Sequence, residues 1–245
     1  PSVRSMRNLR EVAEELGLDQ DHVELRGAHA KVSLASLATA PARRGKYVLV
    51  TAITPNKAGI GKSVTAIGLA QGLRRLGTRA AVTLRQSSLG PTLGMKGGGA
   101  GGGVAALVPL DQCLLGLGAD LFAVESANNL LAAVVEDALF RGHDVDPASV
   151  SWRRVVDMDD RALREVQLGS GRSTGFDITA ASEVMALLAL SRDLPDLRAR
   201  LDRVVPAWDT AGRPVTAGAL RAAGAMAVLL KDAAQPNLLQ TSDGT

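Results

Sequence analysis

Apolar and polar positions follow two rhythms along this chain. Residues 47–53, Tyr-Val-Leu-Val-Thr-Ala-Ile, form a nearly unbroken aliphatic and β-branched run, which predicts a buried strand. Beyond a glycine-rich turn, Ile67, Leu69, Ala70 and Leu73 recur at helical spacing, and a helix is predicted to about Leu76. Gly77-Thr78 turns the chain, and Arg79 to Leu84 predicts a second strand. Strand, helix, strand in this order is a βαβ unit, which requires a parallel pair and a right-handed crossover.

The remaining pattern is mostly helical. Arg4 to Leu16 is amphipathic, with Gly17 as its stop. Leu107 to Ala123 is apolar but broken by glycines, and predicts a short helix followed by a strand over 119–124. Ala127–Arg141, Thr179–Ser191 and Leu194–Val204 read as helices, the last stopped by Pro206. Val215-Thr216-Ala217-Gly218 leads into another helix, running to about Leu230. The order predicts an α/β fold: a mainly parallel sheet flanked by helices, in the manner of a P-loop NTPase nucleotide-binding domain. An N-terminal helical segment is expected over 1–44 and the phosphate-loop domain over 45–245.

Composition narrows the function. The 245 residues are 46% hydrophobic but only 2% aromatic, and the net charge is +3. Arginines are interspersed with acids, so no basic stripe with aromatics marks a nucleic-acid partner. No charge-free apolar run is long enough for a membrane span, and none is expected. Cys113 is the single cysteine, which excludes an internal disulfide and fits a reducing cytoplasm. His22, His29 and His143 lack metal-ligand spacing. The chain opens at Pro1 rather than Met, as expected of a processed or incompletely represented protein.

The candidate chemistry lies between the first strand and its helix. Asn56-Lys57-Ala58-Gly59-Ile60-Gly61-Lys62-Ser63 resembles a phosphate loop, with Asn56 where the strict pattern has its first glycine. Backbone N–H groups of Gly59, Ile60, Gly61, Lys62 and Ser63 are the candidate phosphate cradle. Lys62 reaches the outer phosphates, and the Ser63 hydroxyl is a candidate ligand for Mg2+. Lys57 also fits the variant loop of dimerising ATPases, against the plainer reading of an exposed loop lysine. A second glycine-rich run, 94–103, is either a flexible linker or an ordered loop that lets backbone approach a ligand. Arg85 and Lys96 flank it.

The chain resembles the formate–tetrahydrofolate ligase family over nearly its whole length. The resemblance is carried by Val50-Thr51-Ala52-Ile53-Thr54-Pro55 with the phosphate loop, by Leu84-Arg85-Gln86 and Ser88-Leu89-Gly90-Pro91, and by the Lys96-Gly97-Gly98 to Gly103 run. Further blocks are Ala127 to Ala133, Arg154-Val155-Val156-Asp157-Met158, Thr174 to Thr179, and Pro214 to Gly218. It implies ATP and Mg2+ as cofactors, formate and tetrahydrofolate as substrates, formyl phosphate as intermediate, and a cytoplasmic enzyme expected as a homo-oligomer. Lys62 and Arg85 are then the catalytic residues, with Arg85 on formate and formyl phosphate. Gln86, Lys96, Gly97 and Gly98 join Gly59 to Ser63 around the nucleotide.

Four departures qualify the resemblance. Val104 stands where relatives carry Tyr, and Gly116 and Phe122 stand where they carry His. The loop before Thr174 is shorter, and family chains are much longer than this one. A separately encoded C-terminal polypeptide is therefore a candidate partner. A non-catalytic regulator or scaffold of the same family and a dimerising P-loop switch ATPase are the alternative functions.

Overall fold

The computed structural model describes residues 6–40, 45–53, 59–89, 99–158 and 160–244. Helix α1 (Leu9–Leu16) starts later than the apolar pattern suggests, because the Asn8 side chain accepts from the Arg10 N–H at 3.0 Å and caps it there. Gly17, in the left-handed region at φ 77°, ends it as expected. Strands β1 (Val23–Arg26) and β2 (His29–Val32) form an antiparallel hairpin with Val23 opposite Val32. A short helix α2 (Ser36–Thr39) follows. Helix α3 (Lys62–Arg75) lies where the sequence predicts the helix of the phosphate loop. Then come β3 (Gly101–Gly102), β4 (Ala105–Val108) and α4 (Leu110–Leu114).

Residues 119–124, expected as a strand, instead open the long helix α5 (Asp120–Phe140). Leu121, Val124, Ala127, Asn128, Leu131, Ala132, Val135 and Ala138 are buried along it. Their spacing of three and four is helical, so burial of one continuous face overrides the short apolar run. Strand β5 (Arg154–Val156), the hairpin partners β6 (Val166–Gln167) and β7 (Ser173–Thr174), and β8 (Phe176–Ile178) follow. The helix expected over 179–191 is split. Ser182 is extended, accepts from the Met185 N–H at 3.1 Å, and caps α6 (Glu183–Leu190). Helix α7 (Leu194–Asp202), the pair β9 (Ala207–Trp208) and β10 (Pro214–Val215), and helix α8 (Ala223–Leu229) complete this stretch. The chain ends with β11 (Asn237–Leu238) and β12 (Gln240–Thr241).

Contacts group these elements into two compact units, residues 1–118 with 235–245, and residues 119–234. In the first, β11 pairs with β2, and β12 and β3 flank β4, all antiparallel. Leu9, Val12 and Ala13 of α1 pack with Val23, Ala30, Val32 and Leu238. Lys31 is fully buried between the strands and donates from Nζ to the Gln235 carbonyl at 3.0 Å. In the second, α5, α6, α7 and α8 pack around Val124, Leu131, Val184, Leu197, Leu201 and Met226. Each such fully buried side chain contributes roughly 2 kcal/mol of apolar transfer.

The fold is α/β, but its described sheets are short. Among the described residues only β5 and β8 pair in parallel. Residues 47–53 and 79–84, expected as the central parallel strands, carry no strand pairing. Tyr47 is 83% exposed and Ile53 fully so. A strand exists only through its ladder, and no neighbour among the described residues supplies one here.

Candidate functional site

The predicted phosphate cradle is described from Gly59 onward. Gly59 and Gly61 are both left-handed, at φ 75° and 73°. A side chain at either position would strain the backbone, which is why glycine suits both. Gly61 is the N-cap of α3, and no side chain caps this end. The first turn, Lys62, Ser63 and Val64, thus presents N–H groups that lack intrahelical acceptors. The ladder begins with the Thr65 N–H, which donates to the Gly61 carbonyl at 2.9 Å. Gly59, Ile60, Gly61 and Lys62 are exposed and Ser63 is half-buried. Free N–H groups, the positive end of a helix dipole and an ammonium are the elements from which anion sites are built. Lys57, Lys96, Gly97 and Gly98 lie outside the described residues.

Arg85 is exposed, on the extended segment that follows α3. Its neighbours turn inward. The Gln86 Nε2 donates to the Leu117 carbonyl at 2.6 Å, and the Ser87 Oγ donates to the Cys113 carbonyl at 2.8 Å. Gln86, expected at the nucleotide, thus spends its amide N–H on the backbone just beyond α4.

The end of the glycine run joins the two expected site segments. A methyl at Gly101 would lie 2.6 Å from Ile67 Cδ1 of α3 and 2.1 Å from the Ala105 carbonyl oxygen. A methyl at Gly99 would lie 2.8 Å from Ser87 Cβ. Gly99 and Gly101 are therefore packed against Ser87 and against Ile67 and Ala105, and do not form a free linker. Val104, at the tip of the β3–β4 turn, is 77% exposed. Its carbonyl accepts from Gln71 Nε2 at 3.1 Å and from Ser242 Oγ at 2.5 Å.

Gln71 and Ser87 were not singled out by the sequence reading. Gln71 carried a signal: it falls four residues after Ile67, on the buried side of α3, where a polar side chain must find partners. Ser87 carried none, because its acceptor lies 26 residues away.

A cleft of about 410 Å³ lies at the other end of α3, lined by Glu15, Leu16, Arg74, Gly77, Thr78 and Arg79. Arg74 is twelve residues beyond Lys62, about 18 Å along the helix axis. The charged groups of the cleft pair with one another. Glu15 binds Arg7 at 2.7 Å and Arg74 at 3.0 Å, and Arg79 donates to the Glu15 carbonyl. Hydrogen bonds from Arg7 and then Arg74 pull the Glu15 carboxyl down to about 2. Burial, reinforced by Asp111, pushes the Cys113 thiol up to about 11. Among the described residues, no group of three or more His, Cys, Asp or Glu is arranged to hold a metal ion. Nor is any helix there long and apolar enough to cross a membrane.

A family model described as formate–tetrahydrofolate ligase matches residues 2–245. A formate–tetrahydrofolate ligase of Roseiflexus sp. (strain RS-1) is 52% identical over 251 residues, covering 98% of this chain and 44% of the relative. One from Rubrobacter xylanophilus is 48% identical, covering 97% of this chain and 43% of the relative. One from Methylobacillus flagellatus is 47% identical, covering 98% and 45%. The chain thus spans less than half the length of these relatives.

Proposed function

The chain belongs to the formate–tetrahydrofolate ligase family, and from that premise we propose that it handles the phosphates and formate in an ATP-dependent formate–tetrahydrofolate ligase. The observation that carries this reading is the start of α3. Two left-handed glycines, an uncapped first turn and the exposed Lys62 support a polyphosphate cradle at this point. In the proposed reaction a formate oxygen attacks the γ-phosphorus of ATP, and ADP leaves. The tetrahydrofolate amine then attacks the carbonyl of formyl phosphate, and phosphate leaves with formation of 10-formyltetrahydrofolate. This chemistry needs little beyond positioning and neutralisation of charge.

Lys62 neutralises the transferred phosphoryl group. Arg85 presents a planar fork, suited first to a carboxylate and then to the mixed anhydride. Gly59, Ile60 and Gly61 bring backbone close to the phosphates. Lys96, Gly97 and Gly98, outside the described residues, are proposed to continue that wall, with the remaining amide oxygen of Gln86 beside them. The Ser63 hydroxyl, half-buried in the same uncapped turn, would be the group to hold a magnesium ion, which would supply further neutralisation of phosphate charge there.

Segments 47–53 and 79–84, which have no strand pairing among the described residues, belong, in this reading, to a parallel sheet completed by polypeptide equivalent to the rest of the relatives. A cytoplasmic homo-oligomer is proposed for the whole protein. A non-catalytic nucleotide-binding scaffold is the second reading. It is favoured by Val104, an exposed aliphatic side chain at the turn between Gly103 and β4.

The test is an assay with ATP, formate and tetrahydrofolate. The chain alone is expected to bind ATP and form little product. Product is expected when a polypeptide matching the relatives' remaining length is added. Absence of ATP binding would overturn the reading. Turnover of about 1–1000 per second by the chain alone would overturn the need for a second part. Binding without product in the two-part mixture supports the scaffold.

A further inference from the structure

Arg85 lies on an extended segment rather than on a helix or a paired strand among the described residues. Residues 78–88 make no strand pairs among the described residues. An arginine fork is useful only if its backbone is fixed, since a displacement of about 1 Å can cost a reaction a hundredfold. The structure supplies two side-chain ties immediately after it. Gln86 is bonded to the Leu117 carbonyl at 2.6 Å and Ser87 to the Cys113 carbonyl at 2.8 Å. Cys113 is buried in α4 and Leu117 lies just beyond that helix, so the two acceptors are four residues apart in the chain. Ser88 is buried as well. Gly99 closes the other side, because even a methyl there would come within 2.8 Å of Ser87 Cβ.

We propose that Ser87 is a positioning residue for Arg85, held by the Cys113 carbonyl on one side and by the bare backbone of Gly99 on the other. Its hydroxyl fixes the extended segment that carries the exposed Arg85, which has no strand neighbour among the described residues. The ligand class is a small carboxylate or acyl phosphate, and this rests on the role proposed above for Arg85. Gln86 is the second tie.

Hydrogen exchange and formate titration test this on the 245-residue chain. Ser87→Ala should speed exchange of the amides of residues 84–88 and leave those of α3 unchanged. With a non-hydrolysable ATP analogue present, it should weaken binding of 13C-formate about fivefold, the worth of one net hydrogen bond. Affinity for the analogue should not move. Ser87→Thr keeps the hydroxyl and should restore both readouts. Gly99→Ala should reproduce Ser87→Ala. Unchanged exchange at 84–88 overturns the positioning role whatever the ligand does. Faster exchange with unchanged formate affinity overturns its link to Arg85. Equal losses for formate and the nucleotide analogue reveal a merely structural residue and also overturn it. If the unsubstituted chain binds the analogue but not formate, the role of Arg85 itself fails, and the proposal with it.

Discussion

Asn129 is hydrogen-bonded to both backbone groups of Val155. Its Oδ1 accepts from the Val155 N–H at 2.8 Å, and its Nδ2 donates to the Val155 carbonyl at 2.9 Å. The side-chain amide thus stands in for a neighbouring strand on the open edge of β5, whose other edge pairs with β8. The adjacent Asn128 donates to the Arg153 carbonyl at 3.0 Å and extends the same device by two residues.

Replacing Asn129 by Ala leaves both groups of the buried Val155 without partners. The expected cost is about 1–3 kcal/mol of stability. Urea unfolding measures it. A cost within error of zero would show that water replaces the amide freely.

Lys62→Ala should weaken ATP binding at least tenfold, about 1.4 kcal/mol or more. The backbone cradle remains, but the charge that complements the outer phosphates is gone. Calorimetry on the two proteins decides the matter, and equal affinities would remove Lys62 from the site.

The Arg7–Glu15–Arg74 network makes stability depend on acid. Glu15 titrates near 2 in the folded chain, against an ordinary value of 4.5. Between those values the unfolded chain binds the extra proton, so the network's contribution is complete above pH 4.5 and is lost as pH falls toward 2. Both partners are partly exposed, so Glu15→Gln should cost only about 0.5–1 kcal/mol at neutral pH. Denaturation curves of the two proteins at pH 7, and at steps below pH 4.5, should converge at the acid end. A gap of constant size across the series would count against the network.

Cys113 should be inert in the folded chain. It is buried, and its thiol is held protonated well above neutral pH. Labelling with a thiol-specific disulfide reagent at pH 8 should be slow without denaturant and rapid in urea. Fast labelling of the native chain would place the side chain at the surface.

Helix α3 and the glycine turn before it were legible in the residues, because helical period and glycine spacing are local signals. The site's frame was not. Gln71, Ser87 and Ser242 bond to carbonyls 26 to 138 residues away, and no local window contains both partners. Residues 119–124 were misread for the same reason: a short apolar run suits either state, and only the continuous buried face of α5 chose helix.

By itself, then, the order of residues determined the family, the glycine turn that opens α3, and the positions of most helices. These depend on near neighbours and on spacing along the chain. Tertiary structure decided which carbonyls hold the segment bearing Arg85, and that the end of the glycine run packs between α3 and Ser87. It also decided that β-branched residues at 47–53 do not make a strand without a partner. Hydrogen-bond ladders and close backbone approaches are pairwise and non-local, and each exists only when the second segment is in place.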